Sequence, residues 1–551
     1  MNPKLPEINA GDLDLERVSA AAWDAIRAYN EPPLLFRSGG VAMRLEADDN
    51  GAPMLRELVN DKLRHVLARS ARWYRKTLDG KIPALPPMHV VKDMLAAADL
   101  PLPVLNRIVE APVFSPDGQL QTEPGYHTAS RTYFAVKDGF RIPEVPNAPT
   151  AADISQARSL ILDELLCDFP FVGEAERAHA VACMLLPYAR DLILGATPLH
   201  LIEAPSPGTG KGLLIEVLTY PVLGRPVTTM AEGRDEDEWR KRITAKLMIR
   251  PSVLLVDNLR RRLDSAAVSA AITSPSWEDR VLGQSKVVNM LVRCLWVATG
   301  NNPALSNEIA RRTLRIRLDA KRDRPWLRKQ FRHTNLRSWV MEHRAELVRS
   351  ALLLIQAWLA EGRPMYSENT LGMFEEWTSV MGGILEVSGI HGFLGNLEDF
   401  YEASNEEAAV WRGFVQAWLE RFGEDEVGVS ELFALNSELE EPLDLGKGEE
   451  KSRRTKLGKD LVQARDRQYD NLRITLVGER HRAKRWRLIR IGSGEPVNIG
   501  ELFPTDQMQN SGLEPSASIC GLDGKGSPGS LGSPDFDVEM ESPIDAEECD
   551  N

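Results

Sequence analysis

The residues best placed to do chemistry run from 199 to 212: Leu-His-Leu-Ile-Glu-Ala-Pro-Ser-Pro-Gly-Thr-Gly-Lys-Gly. A β-rich run enters a glycine-bearing turn, and a helical pattern, residues 213–218, leaves it. A phosphate needs this order. Backbone N–H groups of the turn and of the helix N-terminus point at the anion, and Lys211 brings a positive charge to the β- and γ-phosphates. Gly208 and Gly210 let the backbone close around it, with Pro207, Thr209, Gly212 and Leu213 completing the phosphate-binding set. Two positions depart from the usual GxxxxGK[ST] pattern. Pro205 stands where the first glycine is expected, and Gly212 stands where a hydroxyl would meet Mg²⁺. Water or Asp257 would have to fill that coordination site.

Further along the chain, Ser-Val-Leu-Leu-Val-Asp-Asn (252–258) reads as a buried strand ending in an acid. A carboxylate at the C-terminal edge of a parallel sheet can hold Mg²⁺ through water, which gives Asp257 a metal role. The plain alternative is a buried strand followed by a helix-capping Asp. A third strand, residues 294–302, ends Thr-Gly-Asn-Asn. Its amides, Asn302 above all, can orient an attacking water or sense the γ-phosphate. Ala-Arg-Arg-Thr follows at 310–313, so Arg311 or Arg312 can reach a neighbouring subunit's ATP. A solvated charge pair is the bland reading of those arginines.

The elements that must position these groups are legible as pattern. Residues 197–320 alternate short β-rich runs with helical periods, as in an α/β domain with a parallel sheet. Helices are expected at 13–29, 54–78, 151–167 and 174–194, with a strand-like stretch at 34–45 and a linker at 143–149. The division that follows is 1–148 as an N-terminal accessory or collar domain, 151–196 as a helical linker, 197–320 as the ATPase core, 321–403 as a helical region, 404–491 as a small α+β module and 492–551 as a tail. The 551 residues carry a net charge of -13, unevenly spread. Residues 451–490 hold fourteen Lys/Arg against four Asp/Glu, whereas residues 511–551 hold ten Asp/Glu against one Lys. The tail, rich in Gly, Ser, Pro and acids, is expected to be disordered. The five cysteines form no metal-binding or disulfide pattern, and no apolar run is long enough to cross a membrane, so a reducing cytoplasm fits.

At this point the chain resembles the AAA+ ATPases of the superfamily 3 helicase type. It is most similar to the ATPase half of phage, plasmid and integrated-element primase-helicases of the poxvirus-type group. The residues carrying the likeness are Pro-Gly-Thr-Gly-Lys-Gly (207–212), Leu-Val-Asp-Asn (255–258), Trp-Glu-Asp-Arg-Val-Leu-Gly (277–283), Thr-Gly-Asn-Asn (299–302) and Ala-Arg-Arg-Thr (310–313). Phe-Glu-Glu-Trp (374–377) and Gly-Phe-Leu-Gly-Asn (392–396) add to it. The resemblance implies ATP and Mg²⁺ as cofactors and a homo-oligomeric ring, usually a hexamer, with ATP sites between subunits. It also implies movement on single-stranded or forked DNA in a bacterial or archaeal host cell. In such rings a hairpin before the third strand carries a basic pore residue. Lys286 is the candidate here, against the reading of a surface lysine in a turn. Two departures stand out. Asn258 occupies a position where such proteins often carry an acidic base, so Glu278 or Asp279 would have to serve. No primase motif is visible in residues 1–150, so a primer-making activity would be encoded separately, as a primase or polymerase, or be absent.

The basic module orders a helix (452–467) before two strand-like runs (472–477 and 485–491), as a winged helix does. Arg453, Arg454 and Lys456 on the helix, and Arg480, Arg482, Lys484 and Arg485 on the turn and strand, are candidate DNA contacts. The alternative is a packing module with solvated charges, and Trp486 is expected in its core. Arg-Ser-Gly-Gly (37–40) can be a phosphate turn or, more often, a tight turn. His127 and His333 are read as structural. Three functions remain in competition: a DNA helicase or translocase that replicates a mobile element, a nucleotide-driven switch of the initiator, loader or defence type, and a DNA-binding regulator with a decayed core.

Overall fold

The Val- and Leu-rich runs form one five-stranded parallel sheet. Its spatial order is Thr229–Met230, Val253–Leu259, Leu295–Asn301, Leu199–Ala204, Thr313–Arg317. Strands buried on both faces read as continuous apolar runs, and Leu199–Ala204 is buried at every position. Ala204 pairs with Asn301 and Val256 with Ala298, so the three central strands end almost level at one edge. Helix Lys211–Leu223 leaves the first of them directly after the glycine turn. The computed structural model describes residues 5–491, apart from residues 50, 137–138, 281–286, 405, 447 and 481–482. Lys286, Arg482 and the acidic tail lie outside the described residues.

The sheet packs against helix Glu174–Ala189, and helix Arg344–Ala360 packs behind it on that helix and on Lys211–Leu223, in one large apolar core. Each fully buried Leu or Val there contributes roughly 1.5–3 kcal/mol. Helix Ala151–Ser159 begins on a Thr150–Asp153 capping box and runs on as a π-helical turn, Leu160–Leu165. Between the second and third central strands an antiparallel hairpin pairs Ser276–Arg280 with Val287–Leu291. Asp279 fastens it to helix Glu236–Met248 through Arg240 and the Thr244 hydroxyl, and Trp277 Nε1 donates to that same hydroxyl.

The N-terminal region differs in detail from its pattern. The expected helix over 54–78 is a shorter one, Asn60–Ser70, flanked by strands Pro53–Glu57 and Arg72–Thr77. Those flanks carry helix-compatible spacing, but each pairs antiparallel with a neighbouring strand, Val41–Ala47 for one and Gly80–Pro83 for the other, and the second also pairs with the distant Glu7–Asn9. The stretch 34–45 is a hairpin, Leu35–Ser38 with Val41–Ala47. Gly39 (φ 59°) and Gly40 (φ 77°) form its two-residue turn, a geometry that side chains resist. This region is pinned to the domain of the glycine turn by buried polar bonds to the turn after helix Glu174–Ala189 and to the residues before strand Val253–Leu259. Arg107 pairs with Asp191 at 2.7 Å, Ser252 Oγ donates to Ile108 O, and Arg250 donates to Ser38 Oγ at 2.9 Å.

The C-terminal module has its own core around Phe414, Trp418, Leu457 and Trp486. Its order is helix Glu406–Phe422, strand Val427–Gly428, helices Val429–Glu438 and Glu450–Gln463, then Gln468–Tyr469 and the hairpin Leu472–Arg480 with Ala483–Arg490. The short first strand pairs with the last, giving the order Val427–Gly428, Ala483–Arg490, Leu472–Arg480, Gln468–Tyr469. Trp486 is fully buried, as its alternation with Arg485 and Arg487 suggests.

His179 fastens helix Glu174–Ala189 to two further elements. Its Nε2 accepts from Leu394 N–H at 3.0 Å, so Nδ1 carries the proton and donates to Arg315 O at 2.8 Å. Burial holds its pKa down to about 4, from an ordinary 6.5. A group whose folded pKa lies below its unfolded value stabilises the fold above the unfolded pKa, and that stability is lost as pH falls toward the folded one. The urea unfolding midpoint should therefore fall between pH 6.5 and pH 4, with a shallower pH slope in His179→Gln.

Candidate functional site

The glycine turn lies at the C-terminal edge of the sheet, where loops from parallel strands converge. Gly208 (φ 77°) and Gly210 (φ 109°) take left-handed backbone. A Cβ on Gly208 would sit 3.1 Å from Trp326, and one on Gly210 would face Phe169. Thr209 is buried and donates its hydroxyl to Ser206 O at 2.7 Å, fixing the turn from inside. Pro207, Gly208 and Gly212 are exposed, while Leu213 is half-buried at the start of the helix. Gly212 opens onto free space.

Lys211 is half-buried and donates to Asn301 Oδ1 at 2.5 Å. Burial lowers its pKa, and Asp257 and Glu203 act against that fall by favouring the charged form. Glu203 is itself buried and paired with Arg317 at 2.6 Å. Asp257 is exposed at the strand end. Its Oδ1 accepts the Thr299 hydroxyl at 2.6 Å, and Thr299 Oγ1 in turn accepts Asn258 N–H at 2.8 Å. One hydroxyl thus sets the carboxylate and the bulge beside it. That bulge shifts the register between Val256 and Leu259, with Asn258 at φ 61°.

The Asn pair resolves differently from the expectation. Asn301, the last residue of its strand, holds the lysine. Asn302 follows it, exposed and at φ 41°, and its backbone N–H donates to Ala204 O at 3.2 Å. Alternation along the strand decides between the two amides, and two adjacent asparagines do not reveal it. Thr299 and Glu203 also went unnoticed in the sequence, because each acts through a cross-strand partner. Neither proposed base joins this group. Glu278 accepts from Asn289 Nδ2 across the hairpin, and Asp279 is engaged by Arg240 and Thr244. Of the two arginines, Arg312 is tied to Glu308 through its backbone oxygen at 2.7 Å, whereas Arg311 is exposed.

The basic module places several of its candidate DNA contacts in internal partnerships. Arg453 and Arg454 both lie over the Phe433 ring, and Arg454 also pairs with Glu450. Lys456 donates to Asp444 O, and Arg485 reaches Glu431 and Glu426 O. Arg480 is exposed and Lys484 is half-buried. The Arg37–Gly40 stretch is a hairpin turn against the core, with Arg37 paired to Asp99. His127 bonds Glu123 O, and His333 bonds Glu164 O while stacking on Trp339.

No family profile and no curated protein matches the chain. Among solved structures, it is similar to SCCmec type IV Cch, described as an active helicase. That likeness has 11% identity over 83% of this chain and 97% of that one, with a TM-score of 0.32. It is also similar to a JCV helicase solved with a thiazolopyridine-phenoxyphenyl acetamide, at 12% identity over 45% of this chain and 73% of that one, with a TM-score of 0.18. What the site can do is set by its own geometry. Among the described residues no helix is long and apolar enough to cross a membrane, and no three His, Cys, Asp or Glu side chains gather as a metal cluster. Asp257 stands at the edge with one oxygen engaged by Thr299 and an open approach on its exposed side.

The two glycines of the turn should respond differently to a methyl group. Gly208→Ala, at φ 77° and against Trp326, should cost about 1–2 kcal/mol in urea unfolding, the left-handed penalty for a Cβ. Gly212→Ala, in open space within the first turn of the helix, should be neutral or slightly stabilising.

Proposed function

We propose that this chain binds ATP with Mg²⁺ at the glycine turn and hydrolyses it. The observation that carries this reading is the shared edge of three strands. It brings a left-handed glycine turn, a half-buried lysine and a hydroxyl-oriented carboxylate to one crevice. Backbone N–H groups of the turn and helix would cradle the phosphates, and Lys211 would exchange its Asn301 contact for the β- and γ-oxygens. Asp257 suits Mg²⁺, which commonly takes one or two carboxylates and completes its shell with water and phosphate oxygens. Such a metal would neutralise charge on the transferring phosphoryl group. Gly212 offers no hydroxyl to it, and the Thr209 hydroxyl is already committed to Ser206 O. Asn301, released from the lysine, would be free to orient water. Thr299 is a positioning residue that acts through Asp257.

The wider reading is an ATP-dependent DNA helicase or translocase, working as a homo-oligomeric ring, a hexamer by its motif resemblance, in the replication of a mobile element. Arg311 would act in trans on a neighbour's nucleotide, since Arg312 is engaged at home. The hairpin Ser276–Arg280 with Val287–Leu291 would present Lys286 to single-stranded DNA. Its anchorage to helix Glu236–Met248 through Asp279 supplies a mechanical link to the core. The order of the basic module, with its first strand pairing to the last, supports a winged-helix reading. Arg480 and Lys484, rather than the engaged Arg454 and Arg485, then become its best-placed DNA contacts. A separately encoded primase or polymerase would supply synthesis, in a bacterial or archaeal cytoplasm. A second reading is a nucleotide-driven switch that does not unwind DNA. Asn258 and Gly212 favour it, because Asn258 stands where a carboxylate base is common and Gly212 where a hydroxyl would meet the metal.

Turnover of ATP by the purified chain, with and without single-stranded DNA, and strand separation on a forked duplex test the choice. A helicase should show DNA-stimulated turnover and unwinding, both lost in Lys211→Ala. DNA-independent turnover without unwinding, from a folded oligomer, would leave the switch. Thr299→Val should lower turnover about tenfold or more with little change in melting temperature, because it leaves the Asn258 N–H and the Asp257 carboxylate without their shared partner.

A further inference from the structure

Away from the glycine turn, a cavity of about 690 Å³ lies between the ATPase core and the basic module. Arg311 lines it from the core, and Arg412 and Arg467 line it from the module. Elsewhere in the core, arginines at the surface of the sheet have carboxylate partners, as Arg317 has Glu203 and Arg312 has Glu308. The three cavity arginines form no ion pair among the described residues. A guanidinium without a carboxylate partner is free to take an anion, and its planar fork suits a phosphate. The aromatic wall does not compete for that role. Trp411 and Tyr469 are buried and stack on each other, with centroids 5.7 Å apart at 17°, so their faces are spent on packing rather than open to a base. Glu402 and Asp470 also line the cavity, leaving a surplus of one positive charge over the five groups. That surplus suits a single phosphate group.

We propose that the cleft formed by Arg311, Arg412 and Arg467 is a second anion site, which takes a phosphate group. The phosphate is either that of a nucleotide held by a second copy of the chain or that of a nucleic-acid backbone. The first source rests on the ATPase reading above, with Arg311 acting in trans. It makes the basic module a contributor to the neighbour's site, through Arg412 and Arg467.

The test uses the full chain carrying Lys211→Ala, which removes the ammonium of the glycine turn. This protein is titrated with inorganic pyrophosphate by calorimetry, alone and with Arg412→Gln or Arg467→Gln added. Both arginines lie at the cavity surface, and matching melting temperatures check the fold of each variant. Binding in the parent should weaken about tenfold in each double variant, the loss of one charge-assisted hydrogen bond. No binding in the parent, or equal binding in all three, would overturn the proposal. The readout needs no hydrolysis, so a chain without ATPase activity would sink the reading of the glycine turn and leave this one standing. Two further arms separate the sources. If a second copy supplies the phosphate, Arg467→Gln mixed with Lys211→Ala recovers turnover that neither shows alone, because each provides the half the other lacks. If nucleic acid supplies it, Arg412→Gln and Arg467→Gln weaken binding to oligothymidylate and flatten its salt dependence, without recovery on mixing.

Discussion

A half-buried ammonium at the end of a parallel sheet is the constraint around which the central region is organised. Lys211 loses hydration in the crevice, which disfavours its charged form, and negative groups facing it offset that loss. Asp257 and Glu203 do so from the strands on either side of the crevice, and Asn301 supplies the direct bond. That arrangement requires three strand ends to be level. It also requires the glycine turn to leave an interior strand rather than an edge, and a turn that closes through left-handed glycines. The strand order, the Ala204–Asn301 register and the two glycine φ angles satisfy these demands together.

The supports of that edge extend outward. Thr299 fixes Asp257, and Arg317 keeps Glu203 from standing as an unpaired buried charge, which would be far costlier than the pair itself. His179 ties the strand after Arg311 and Arg312 to helix Glu174–Ala189 and to the Gly392–Asn396 turn. Elsewhere, the Gly39–Gly40 turn closes against Asn289 of the hairpin, where a Cβ on Gly39 would come within 2.7 Å of a backbone oxygen. Arg250 completes that junction by reaching Ser38 and Leu291 O. The N-terminal region therefore braces the base of the hairpin that carries Glu278 and Asp279.

The core was legible in the sequence because its signals are local. A lysine after glycines, an acid after an apolar run and amides after a third run each announce a strand end, whatever else surrounds them. Helices with their own caps, such as Ala151–Ser159 behind Thr150, were equally readable. Strand pairings were not. The flanks of Asn60–Ser70 carry helix-like spacing, and only hydrogen bonding to a neighbouring strand makes them strands. At the site, the choice of Asn301 over Asn302 depends on which way a strand's last side chain points. The roles of Thr299 and Glu203 depend on neighbours about 42 and 114 residues away. In the basic module, charge count alone marked Arg454 and Arg485 as ready for a ligand, whereas Glu450, Glu431 and Glu426 already hold them.

The central claim is that the crevice around Lys211 is a nucleotide site, and equilibrium binding of ATP tests it most directly. Wild type and Lys211→Ala would be compared, each with Mg²⁺ and with the metal chelated. The account predicts saturable binding by wild type, weakened by chelation, and at least about a tenfold rise in Kd in the variant from loss of a charge-assisted contact. Equal affinity in both proteins, or no binding by a folded wild type, would contradict it.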